Sequence, residues 1–260
     1  MARGLGDVLH YFLPEASEPA GAAKVPPRLD PAALPIVALP VGDRDVVRAA
    51  LAWNLTVEIA RLGASASLLA PTACDGSLVW PQPGRGPVGA ELVPSAALHL
   101  DGLYRDAADV AVRRAAEPGD GGVVLVCVPP QWLRASAEGA ALLRWALLFA
   151  TPDSRDLLEA YALAKLLLRR RADATVGITI HGVRRVAEAE RAFERLAGVA
   201  ARHLGRAPRS YGLLVDDLHI YRAIVARRPI GLEHPQSPAA RALRDVARLV
   251  LEDARVPIHG

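Results

Sequence analysis

From Pro35 onward, short apolar runs alternate with longer stretches in which apolar residues recur at helical spacing. The runs PIVALPV (35–41), ASASLLA (64–70), AELV (90–93), GVVLVCV (122–128), WALLFA (145–150), ATVGITIH (174–181) and RSYGLLV (209–215) predict strands. Most are apolar at nearly every position, as in strands covered on both faces. Between them, 45–62, 100–116, 154–171, 184–204 and 237–254 carry helical periodicity. The alternation predicts an α/β fold: a mainly parallel sheet of about seven strands with helices on both faces. PQPGRGPVG (81–89) reads as a loop, and no internal repeat is evident.

The first residues have a different pattern. In GLGDVLHYFLPE, Leu5, Val8, Leu9, Phe12 and Leu13 fall on one face of a short helix. A stretch rich in Pro, Ala and Gly follows, so 1–34 is expected to be an amphipathic peptide on a tether and 35–260 the α/β domain. Such a peptide is either a docking segment for a protein partner or one that folds back on its own core. It has too little positive charge to seek anionic lipid.

Charge narrows the function classes. Asp and Glu (28) nearly balance Lys and Arg (31), and no aromatic-studded basic surface is legible, which disfavours nucleic acid. The basic run RRRAD (169–173) suits the last turn of a helix. Cys74 and Cys127 are too few for a disulfide framework or zinc site, no His pair has metal-ligand spacing, and no metal is expected. The chain shows no signal peptide and no apolar run of membrane-spanning length, so a reducing cytoplasm is the expected location.

The order of elements carries a resemblance. LLFATPDSRDLLEAYALAKLL and YGLLVDDLHIYRAIVARRPIGLEHPQSPAARALRDVARLVL resemble the MinD/ParA family of deviant P-loop ATPases, most closely the FlhG-type branch that regulates flagellar number and placement. In that family a strand ending in a TxPEP-like turn leads to a helix containing DAYALIKLL. NLTVEIARLGASASLLA is similar to the family's NLAVALARLGKRVLLLD, and the alignment then places GKGGVGKTT on GDRDVVRAA, residues 42–50. Only Gly42 matches among the loop glycines. The resemblance puts Asp43 at the signature lysine, Arg44, Asp45 and Val47 at glycines, Arg48 at the Walker lysine, and Ala49 at the magnesium-ligating hydroxyl.

Each replacement weakens phosphate binding by its own route. Glycines let successive N–H groups approach a phosphate closely, which Arg or Val side chains obstruct. Asp43 and Asp45 would repel phosphate, and they serve better as caps for the following helix. Arg48 is a poor lysine substitute at a tight site because its guanidinium is bulky and planar. The only lysines, Lys24 and Lys165, lie in the tether and in mid-helix.

Ala70 and Thr72 stand where the family keeps an acidic residue, and Cys127 replaces the Walker B aspartate. Cys127 is either a reactive thiol or, the better reading, a small buried hydrophobe. His181 replaces the asparagine that the family places against adenine; it reads as a hydrogen-bonded structural histidine or a remnant ligand residue.

The resemblance therefore implies a degenerate nucleotide site and a pseudo-ATPase serving as a protein-interaction scaffold or regulator, in flagellar or polar organisation, with no cofactor. Expected partners are a protein, whether an active relative or a second copy. The family's amphipathic membrane tail has no counterpart in the closing RVPIHG, so no direct membrane anchor is expected. One alternative is an atypical ATP/Mg switch or weak ATPase using Arg48; a weaker one is a ParA-like DNA-partitioning factor.

Overall fold

The computed structural model describes residues 33–42, 45–72, 80–117, 121–134 and 140–255. Strands β1 (Ile36–Pro40), β2 (Ser65–Pro71), β3 (Gly84–Arg85), β4 (Glu91–Ser95), β5 (Gly122–Val128), β6 (Trp145–Ala150), β7 (Thr175–Val183) and β8 (Arg209–Val215) form one sheet in the order β3-β4-β2-β5-β1-β6-β7-β8. Every pairing is parallel except β3 with β4. The α/β expectation is met. The eighth strand is the two-residue β3, inside the segment 81–89 that composition alone assigns to a loop. It pairs only at the sheet's edge, too briefly to leave an apolar signature.

Seven α-helices are described: α1 (Val46–Arg61), α2 (Leu100–Ala115), α3 (Ser154–Arg170), α4 (Val186–Leu204), α5 (Leu218–Ala226), α6 (Ile230–Glu233) and α7 (Pro238–Arg255). One core packs α1 and α7 on one face of the sheet; the other packs α2, α3 and α4 on the opposite face. The run 169–173 ends α3 as its charge suggests, with Arg169 and Arg170 in the last turn.

Helix α1 is apolar nearly all round because it lies between the sheet and α7, with every residue from Arg48 to Ala60 buried. Its polar side chains are satisfied internally. Asn54 donates to the Ala50 carbonyl at 2.8 Å and accepts from the Ile230 N–H at 2.7 Å. Buried Glu58 pairs with Arg61 at 2.6 Å and reaches Arg244 of α7 at 3.5 Å. Gly231 sits so close to that carboxylate that no Cβ would fit.

Leu34, at the end of the predicted tether, is already part of the core: it is buried and its N–H bonds the Ala111 carbonyl at 3.2 Å. Leu5, Val8, Leu9, Phe12 and Leu13 lie outside the described residues, as do Asp43, Arg44 and Cys74.

Candidate functional site

After β1 the chain crosses to β2 on one side, and after β6 it runs on to β7 and β8 on the other. The sheet thus reverses direction around β1 and β6, and in open parallel sheets ligands bind beyond the carboxyl ends of the strands at such a point. Val41, Gly42 and Asp45 lie there. Because β1 neighbours β6, the N-terminal turn of α1 stands beside that of α3.

Asp45 caps α1, its Oδ1 accepting the Arg48 N–H at 2.9 Å. This is the capping role expected of it. The Arg48 side chain, 8% exposed, turns toward α3 rather than toward open space above the loop. Its guanidinium lies 3.2 Å from Asp45, 3.4 Å from Glu159, and in direct contact with Asp156. Burial alone would lower the Arg48 pKa, but the adjacent Asp45, Asp156 and Glu159 outweigh it and hold the value above that of a free arginine. Asp156 is fixed from behind, where its other oxygen accepts the Thr151 N–H at 2.6 Å. Burial would raise its pKa, yet the Thr151 N–H and Arg48 together lower it. The guanidinium thus faces three carboxylates in an open depression of about 550 Å³, so among the described residues of the site carboxylates outnumber cations.

Gly42 has ordinary space around it: a Cβ there would meet only the Asp45 Cβ, at 3.9 Å. Ala49 and Ala70 are buried, and Thr72 donates to the Ser95 carbonyl at 3.2 Å. Cys127 is buried within β5, consistent with the small-hydrophobe reading.

His181 corrects one expectation. Its Nε2 is buried without a hydrogen-bond partner among the described residues, so the hydrogen-bonded structural role fails at that atom. Burial first, and Arg48 second, lower its pKa to about 4, with Asp156 and Asp45 opposing. The ring is therefore neutral near pH 7.

Asp156 and Glu159 are the site residues that sequence reasoning missed. Their spacing on α3 gives only a local signal; their meeting with Arg48 depends on β6 lying beside β1. Among the described residues, no group of three or more His, Cys, Asp or Glu is arranged to hold a metal, and no helix is long and apolar enough to cross a membrane.

This framework matches solved structures. MinD from Aquifex aeolicus superposes with a TM-score of 0.60 at 15% identity, covering 84% of this chain and 97% of that one. MinD from Pyrococcus furiosus gives 0.59 at 14%, covering 84% and 98%, and a ParA family ATPase from Chlorobium tepidum gives 0.56 at 14%, covering 84% and 99%. The chain has the MinD/ParA fold. No family model matches the sequence, and no curated protein matches it. At such identities the likeness fixes the architecture of this MinD/ParA-like chain, while the chemistry must be read from its own side chains.

Proposed function

We propose that this MinD/ParA-like chain is a pseudo-ATPase: a cytoplasmic scaffold or regulator whose conformation and contacts do not depend on nucleotide. The observation that carries the reading is the enclosure of Arg48 by Asp45, Asp156 and Glu159. The helix terminus and cation that would attract phosphate are neutralised from within the chain. A phosphate charge 4 Å from one carboxylate meets a repulsion of about 4 kcal/mol at effective protein dielectric, and among the described residues the site has carboxylates in excess. Ala49 offers no hydroxyl to magnesium, and Cys127 no carboxylate. ATP and magnesium do not fit this residue set, and the Arg48-dependent switch is correspondingly disfavoured.

The partner in this reading is a protein, either a second copy or an active relative of the same fold, in the setting of flagellar or polar organisation that the FlhG-like motifs suggest. One similar structure, a MinC:MinD cell division protein complex from Aquifex aeolicus (TM-score 0.57, 14% identity), pairs this architecture with another protein. Sedimentation equilibrium with and without ATP and magnesium tests the reading: the association state should be the same in both, and nucleotide-driven dimerisation would overturn it.

A further inference from the structure

At the amino end of the sheet, opposite the Arg48 site, the last turns of α3 and α4 part above the starts of β7 and β8 and leave a groove of about 290 Å³. Its apolar wall comes from Ala164, Leu168, Val176, Ala200, Leu204 and Pro208. Two arginines line it: Arg206 is exposed and makes no ion pair with another described residue, and Arg209 pairs with Asp253 at 3.5 Å. An apolar cleft with an unpaired arginine at its edge fits an amphipathic segment bearing acidic groups.

We infer that the chain's own N-terminal segment occupies this groove, inserting Leu9, Phe12 and their apolar neighbours while its carboxylates face Arg206. Residues 4–18 contain Asp7, Glu15 and Glu18 and no Lys or Arg, so the charges are complementary. Position favours the same pairing. Ala38 of β1 is level with Ala146 of β6, which is level with Val176 in the groove wall. The chain therefore enters β1 at the groove's own height and two strand spacings away, about 10 Å. Leu34 belongs to the same core as α2, α3 and α4, so the entry is on the groove's face of the sheet.

Residues 14 to 32, even as a stiff extended linker at about 3.1 Å per residue, reach about 60 Å, far more than the gap. Tethering also supplies a local concentration near the millimolar range, so a small groove suffices. The exposed stripe Leu218, Tyr221 and Val225 on α5 is less suited, since it follows the carboxyl end of β8, at the far end of the sheet. The inference does not depend on the pseudo-ATPase reading.

Cross-linking in the full-length chain tests it. In a Cys74→Ser, Cys127→Ala background, Ala16→Cys is paired with Ala207→Cys at the groove rim or with Val225→Cys on α5, and treated with a short bismaleimide. The expected result is intramolecular linkage about tenfold faster at position 207 than at 225, as a docked segment raises local concentration at one place. Phe12→Asp should abolish the difference while the circular dichroism spectrum stays unchanged. Equal rates at the two positions, or indifference to Phe12→Asp, would overturn the inference. Linkage at 207 found solely between chains would also overturn it, assigning the groove to a second copy's segment.

Discussion

Replacing Arg48 by methionine separates a locked structural arginine from one held ready for phosphate. Methionine keeps most of the apolar stem and removes the charge, leaving Asp45, Asp156 and Glu159 facing one another. Breaking a buried ion pair from one side costs about 3–5 kcal/mol. Here Arg48 is 8% exposed but its partners are 27%, 19% and 51% exposed, so solvent relieves part of that cost. Discounted for this screening, the expected loss is about 2–3 kcal/mol, a fall of about 1 M in urea midpoint for a domain of this size. Asp156→Asn removes one charge while keeping an oxygen for the Thr151 N–H. A double-mutant cycle between the two should return a coupling of about 1–2 kcal/mol. If Arg48→Met shifts stability by less than about 0.5 kcal/mol with no coupling, the guanidinium is not held by its neighbours and the reasoning fails.

Two further outcomes follow from the same framework. His181 has a folded pKa of about 4 against an ordinary 6.5, so the unfolded chain binds the proton first as pH falls. The native state should lose about 3 kcal/mol between pH 7.5 and pH 4, and His181→Asn should remove that part of the slope; parallel urea-midpoint profiles would contradict it. Gly177 lies against the ring of fully buried Tyr211, where a Cβ would collide. Gly177→Ala should cost about 2–3 kcal/mol by thermal or urea unfolding, and a neutral result would mean that the ring can move aside.

How much of this could be read from the chain depends on range. The strands announced themselves because β5 and β6 are buried at every position, a pattern that only two covered faces permit. The capping of α1 by Asp45 was equally local: a carboxylate three residues ahead of the N–H it accepts. The clamp on Arg48 was not legible. Asp156 is 108 residues away and meets Arg48 only because β1 and β6 are neighbours, which local periodicity does not encode. The choice between the two readings of His181 was illegible for a related reason, since whether a strand-end histidine finds a partner depends on side chains from several elements. The edge pairing of β3 escaped notice because two exposed residues, Gly84 and Arg85, leave no pattern to detect.

If the protein itself fills the anion site beyond β1, nucleotide should find no place there. Isothermal titration calorimetry of the full-length chain with ATP and ADP, with and without magnesium, tests it most directly. No binding heat is expected at millimolar nucleotide, with or without the metal. Micromolar binding that Arg48→Ala abolishes would contradict it, because Arg48 would then have left Asp45, Asp156 and Glu159 to hold phosphate.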